Sequence, residues 1–425
     1  MFQTLKNAWK VEEIRKKLIF TLLMLVVFRL GNAIPVPFVD RAMLAQLFEY
    51  TEGNILSFMN LLTGGALGEF TIFAMSIYPY ITASIILQLL TIAIPRLEEL
   101  SKEGEAGQKK IQQYTKIGAI FLGVFQALGT TNTLFANAIV AKGFLEQASI
   151  IIVLIAGTMF LVWLGDLITE KGIGNGISML IFAGIISRLP HAVIGWGQAV
   201  LNGVVNPIKV ILMLIIVVIV VAGVVLIAEG ERRINVQYAK RVVGRKMYGG
   251  QATHIPIKVN MGGVMPVIFT SSLLSLPSTL GMLFGGGFKA FTDKYFSMAQ
   301  FPGILIINVL AVILIILFAF FYTAIQFNTV EYSKNLQQQG GFIPGIRPGR
   351  PTSDFMSRIS NRITFIGAIS LAILYVLPTI LSAIFKLNIS FGGTAIIIVV
   401  GVVLETFKQM ESMLLMRHYK GFLNK

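Results

Sequence analysis

Long runs without a charged side chain limit this sequence more than any other feature. No Asp, Glu, Lys or Arg occurs in residues 70–95, 117–141, 147–165, 210–228, 295–330 or 387–404. Each run approaches or exceeds the roughly 20 apolar residues that a helix needs to cross a bilayer. A helix bonds its own backbone N–H and C=O groups, as hydrocarbon demands. Ten candidate spans result: 18–36, 70–94, 117–138, 147–168, 173–190, 208–228, 262–284, 302–326, 362–385 and 391–410. Arg29 interrupts the first, but near a helix end an arginine can reach the headgroups. Only 13% of the 425 residues are charged, about half the share in a soluble domain and too few to cover a water-facing surface. The expected fold class is an all-α polytopic membrane protein.

Several chemistries are excluded. There is no cysteine, hence no disulfide scaffold, thiolate metal site or cysteine nucleophile. Three histidines make a histidine-rich metal site improbable, and no metal or cofactor is expected. Neither the phosphate-binding G-x-x-x-x-G-K-[ST] loop nor H-E-x-x-H occurs, which removes a self-contained ATP site and the commonest zinc protease signature. An ion-coupled transporter would place carboxylates in mid-span. Asp166, at the end of span four, and Glu405, in the last third of span ten, suit headgroup neighbours better. No charged ring or carbonyl filter of an ion channel is legible.

The 35 Lys and Arg set the topology. Most lie in the N-terminus, 96–116, Lys171, 232–258, 334–362 and the tail from 408, all on one face if the span number is even. The positive-inside rule makes that face, and both termini, cytoplasmic. Residues 1–17, with Lys6, Lys10, Arg15, Lys16 and Lys17, read as a basic amphipathic stretch on an anionic leaflet. No small-residue cleavage site precedes Pro35 and Pro37, so the first span is expected to be retained.

Residues 1–200 and 201–425 would each hold five spans, and the halves rhyme. Gly64, Gly65, Pro79, Thr82 and Ser84 in one match Gly262, Gly263, Pro266, Ser271, Ser272 and Pro277 in the other. Gly172, Gly174 and Gly176 match Gly392 and Gly393 at the fifth spans. An odd number of spans per half would invert the second half, with a pathway at the interface. Against this, glycine and proline are common in membrane helices anyway.

Charge concentrates in two long loops. Residues 229–258 contain Arg232, Arg233, Lys240, Arg241, Arg245 and Lys246, and residues 233–238 alternate with the period of a strand. Residues 340–351 are rich in Gly and Pro. Such loops suit nucleic-acid phosphates or an acidic protein, or else only anionic lipid.

Four segments carry a family resemblance: residues 71–88 (TIFAMSIYPYITASIILQ), 163–178 (WLGDLITEKGIGNGIS), 260–266 (NMGGVMP) and 345–349 (GIRPG). Together they resemble the SecY family of bacterial protein-translocation channel subunits, in order and over essentially the whole chain. Ser76 departs from the usual glycine of the first signature. The resemblance implies ten spans in two inverted five-helix halves, and a passive channel that passes unfolded precursors and releases apolar segments, such as a signal peptide, into the lipid bilayer. It implies a pore ring of Ile77, Ile81, Ile181, Ile185, Ile268 and Ile398. Ile77 with Ile81, and Ile181 with Ile185, are spaced i, i+4 and so share a helix face. Read without the family, such isoleucines would face lipid or pack.

Residues 57–69 resemble the family's plug, including Ser57, Phe58, Met59, Asn60, Leu61, Leu62, Thr63, Gly64 and Gly65, with the glycines as a hinge. Alone, the segment reads as an interfacial helix. Gln88, Ser271 and Ser272 would lie at a lateral gate. Arg245 and Lys246 match a ribosomal-RNA contact, and Arg347 a position used with the motor ATPase SecA. The implied companions are SecE and SecG, and the implied location is the bacterial plasma membrane. With no ATP loop here, driving force would come from SecA or the ribosome. The rival reading is an inverted-repeat secondary transporter of a small solute.

Overall fold

The computed structural model describes residues 2–40, 42–44, 60, 63–140, 143–203, 206–238, 241–243, 246–248, 252–296, 301–385 and 393–423. Its spans, in chain order, are Glu12–Gly31, Tyr78–Ala93, Glu105–Gly129, Phe144–Lys171, Gly176–Leu201, Pro207–Glu229, Met265–Phe284, Gly303–Gln326, Arg350–Phe385 and Gly393–Leu423. Among the described residues, six helices are long and apolar enough by themselves to cross a membrane. The first and third carry charge at their starts, and the second and seventh are the shorter apolar ones.

Local chemistry explains where the boundaries depart from expectation. Span two starts only at Tyr78, because residues 72–77 form turns ahead of Pro79. It ends at Pro95, whose ring excludes the helical conformation of the preceding residue. Ile94 is extended (φ −111°, ψ 111°), and the chain bends by 101° into the amphipathic helix Pro95–Lys102. Spans three and nine extend as polar helix well beyond their apolar runs. The N-terminal helix Phe2–Lys10 also docks on protein: its Ala8 is buried with Ile14 of span one, Ile173 and Met410.

Span four packs on spans one, three and five, and span two on span three. Span six packs on spans nine and ten, and span eight on spans seven and nine. Spans two and three meet span seven, and span five meets span ten. Lipid is as apolar as leucine, so such contacts depend on close approach at small residues. Gly157 of span four lies so near the Ile72 carbonyl that an added Cβ would overlap it.

The long loop folds as expected. Strand β1 (Glu231–Tyr238) pairs antiparallel with β4 (Ala252–Lys258), Ile234 opposite Ile255, and with the short β5 (Gly341–Phe342). Its alternation buries Ile234 and Val236 against Ile257, Leu336, Ile343 and Met356. Strands β2 (Arg241–Val243) and β3 (Lys246–Tyr248) form a separate ribbon.

Gly157→Leu is expected to destabilise the chain by about 1–3 kcal/mol through overpacking. Gly118→Ala, whose Cβ would meet Ala83 Cβ at 3.5 Å, should be neutral. Thermal unfolding of the two variants in detergent makes the comparison.

Candidate functional site

Six isoleucines from four helices converge at the centre. Ile77 is the residue before span two, Ile81 lies in it, Ile181 and Ile185 are in span five, Ile268 in span seven and Ile398 in span ten. All are buried in one apolar cluster with Phe269, Phe318 and Val402. Ile77, Ile81, Ile181, Ile268 and Ile398 line a cavity of about 10 Å³ together with Ser76, Tyr78 and Ser271. That is room for about one water molecule. Ile185 belongs to the cluster but not to the cavity lining. The neck is shut, and dispersion contacts close it.

The entry of span two into this neck is strained. Ser76 has φ +50°, in the left-handed region that costs an L-residue roughly 1–2 kcal/mol. The glycine usual at this place in the resembled signature would meet no such cost. The Ser76 N–H donates to Phe73 O at 2.8 Å, which holds the turn.

Two hydrogen bonds cross from span two to the other half. Thr82 Oγ1 and Ser272 Oγ are 3.1 Å apart and buried. Tyr322 Oη in span eight donates to Gln88 Oε1 at 3.1 Å, and Gln88 Nε2 donates to Ser84 Oγ at 3.0 Å. Ser271 Oγ instead donates to Ile268 O within its own helix. Sequence reasoning noticed Thr82 only as a small hydroxyl residue and missed Tyr322. A lone phenol among the aliphatic residues of span eight was the available signal, since a buried tyrosine hydroxyl usually finds a partner.

Of the segment resembling a plug, Ser57, Phe58, Met59, Leu61 and Leu62 lie outside the described residues. Asn60 organises the turn at 63–68: its carbonyl accepts from Gly65 N at 2.8 Å and Thr63 Oγ1 at 3.0 Å, and its Oδ1 from Gly68 N at 2.8 Å. Gly64 and Gly65 have φ +67° and +94°. A Cβ on Gly64 would come within 2.9 Å of Gly184 Cα in span five, and one on Gly65 would overlap the Arg188 guanidinium. Arg29 Nη1 donates to Gly64 O at 3.4 Å. Both glycines thus permit a tight turn pressed against span five.

Asp166, weighed as an ion relay, pairs with Lys116 at 2.7 Å at a half-exposed site. Among the described residues, no group of His, Asp and Glu could hold a metal. Arg347 is exposed on the loop before span nine, where its carbonyl accepts from Thr352 Oγ1 at 2.8 Å. Lys246 opens β3, its backbone opposite Val243, while Arg245 lies outside the described residues.

A ten-span helical bundle around a buried aliphatic cluster defines a multi-pass membrane protein, and the comparisons with known proteins make it one of the channel class. The family model described as SecY matches residues 71–407. The protein translocase subunit SecY of Thermotoga maritima is 43% identical, covering 100% of this chain and 98% of its own. The same subunit of Escherichia coli is 40% identical, covering 100% and 96%. A solved structure described as a protein conducting channel superposes with TM-score 0.67 at 20% identity, covering 94% of this chain and 92% of its own. Sec61 in a canine ribosome–channel complex does so with TM-score 0.61 at 18% identity, with the same coverage. The chain belongs to the SecY family.

Two outcomes are expected. Ser76→Gly should stabilise the chain by about 1 kcal/mol by relieving the left-handed strain, seen as a higher unfolding temperature in detergent. In a double-mutant cycle, Thr82→Val and Ser272→Ala should couple by about 0.6 kcal/mol, the usual size for hydrogen bonds between membrane helices.

Proposed function

We propose that this chain is the pore subunit of a protein translocase, carrying unfolded precursors across the bacterial plasma membrane and passing apolar segments sideways into lipid. The observation that carries this reading is the closed neck, to which Ile77, Ile81, Ile181, Ile185, Ile268 and Ile398 contribute from both halves of the chain. A passage for polypeptides meets every kind of side chain, so it must bind none of them strongly. Aliphatic side chains offer no hydrogen bond or charge, yield to bulky groups, and exclude ions by dewetting when narrow.

In this reading residues 1–200 and 201–425 are two inverted halves that open like a clamshell. The segment 57–69 is the plug, seated through its Gly64–Gly65 turn against span five. The seam opens by parting Thr82 from Ser272 and Gln88 from Tyr322. Ser271, beside Ile268 and lining the neck cavity, then faces the opening. An apolar segment partitions into lipid through that gap because burying apolar surface outside water is favourable.

The chain acts as a conduit and not as an enzyme, so the driving force comes from its partners. Exposed Arg347 suits an acidic surface of the SecA motor, while the basic pair Arg245 and Lys246 suits ribosomal-RNA phosphates. SecE and SecG complete the complex, and both termini are cytoplasmic on the positive-inside argument.

Replacing Ile77 and Ile181 together with Gly should raise the resting ion conductance of the reconstituted channel; unchanged conductance would remove the neck from the seal. Arg347→Glu should reduce ATP-driven export of a precursor by reconstituted vesicles while membrane insertion of the chain itself persists. Normal export in that variant would overturn the docking role.

A further inference from the structure

The chain folds back on itself between spans seven and eight. Gly285 and Gly286 have φ +62° and +53°, angles that glycine adopts freely, and they reverse the chain into the helix Gly286–Tyr295. The register of the reversal is set by contacts. Thr292 is buried, its hydroxyl where a Cβ on Gly281 would stand. Four residues further, Phe296 O accepts from Ser278 Oγ at 3.2 Å. Progress along the short helix is therefore a return down the last turns of span seven.

That return has a depth. Span seven has 20 residues, or about 30 Å at the α-helical rise, which is about the thickness of the hydrocarbon core. It has no length to spare, so positions 278–284 lie within the bilayer. The segment beside them lies at the same level.

Its outward face suits that environment. Phe288, Phe291 and Tyr295 recur at intervals of three and four, which is one face of the short helix, and Phe284 at the end of span seven stands beside Phe288. Their rings form a continuous file with centroids 5.9, 6.5 and 4.9 Å apart. Phe284, Phe288 and Phe291 are 70%, 43% and 50% exposed. A short helix with Phe on one face and Lys on the other beds its apolar face at the boundary between headgroups and acyl chains, and tyrosine is enriched at that level. Lys289 and Lys294 have stems long enough to carry their ammonium groups up to the phosphates, and Lys294 Nζ sits 5.2 Å above the Tyr295 ring.

We propose that the helix Gly286–Tyr295 is a lipid-seated anchor. Its aromatic file is immersed at the headgroup–acyl boundary of the leaflet opposite the β1–β4 hairpin. The clasp of Ser278, Gly281 and Thr292 ties the end of span seven to that leaflet. The inference requires only that the chain spans a bilayer and does not rest on the translocation reading. Since span seven also holds Ser272 against Thr82, the anchor and the seam share one helix.

Tryptophan emission tests this. Trp9, Trp163 and Trp196 are replaced with Phe, and a single reporter is introduced as Phe291→Trp, Phe288→Trp or Val330→Trp. Val330, 68% exposed on the polar helix Thr329–Gln338, is the water-facing control. The full chain is reconstituted into phosphatidylcholine–phosphatidylglycerol vesicles, and an unchanged unfolding temperature certifies each variant. Both Phe-site reporters should emit at shorter wavelength than the control. They should lose most of their emission to phospholipid brominated near the headgroup, lose less to lipid brominated at the chain end, and resist iodide. Quenching by iodide to the control's extent, with no effect of bromolipid, would place the file in water and overturn the proposal. Insensitivity to both quenchers would mean that protein covers the file, and would overturn it equally.

Discussion

Everything in this molecule answers to the absence of water around its backbone. A peptide group unbonded in hydrocarbon costs several kcal/mol, so the chain crosses as helices. Irregular backbone that lies inside the bundle is covered by protein. The turns at 63–76, with left-handed angles at Gly64, Gly65, Phe70 and Ser76, are such a place. Their amides are bonded to Asn60, Ala66, Phe73 and the Ile34 carbonyl, and Gly184 and Arg188 pack over them.

The same constraint weakens the forces that close the centre. Between helices in lipid there is little hydrophobic gain, leaving dispersion, close approach and a few hydrogen bonds. The neck is held by apolar contacts of the isoleucines with one another and with Phe269, Phe318 and Val402, and the seam beside it by the bonds Thr82–Ser272 and Gln88–Tyr322. No ion pair appears among the described groups of this junction. In the proposed reading, a closure of this kind would seal against ions yet separate at modest cost. The strain at Ser76, immediately before Ile77, adds a small bias at the same place.

Legibility followed the range of the interaction responsible. Spans six and eight were read to within about a residue, because uncharged runs such as 210–228 have no other stable form in a membrane. Period-two alternation placed β1, whose inward Ile234 and Val236 form the loop's core. Misjudged boundaries came where hydropathy is silent. Pro79 and the turns before it delay span two, and Arg350–Phe385 begins as a polar helix buried against the β-sheet rather than in lipid. The basic N-terminal segment looked like a lipid-surface stretch because its partners, Ile173 and Met410, are far away in sequence.

Sequence by itself determined the membrane class, the helical spans, the strand in the long loop and the family, since these depend on composition, short periods and contiguous motifs. Only the tertiary structure decided that the six isoleucines named by the resemblance pack into one cluster, that Tyr322 bonds Gln88 across the seam, that position 76 is left-handed, and that Gly286–Tyr295 folds back along span seven. Each of these is a meeting of residues far apart in the chain, or a backbone angle imposed by such a meeting. Packing selects both, and packing has no local signature.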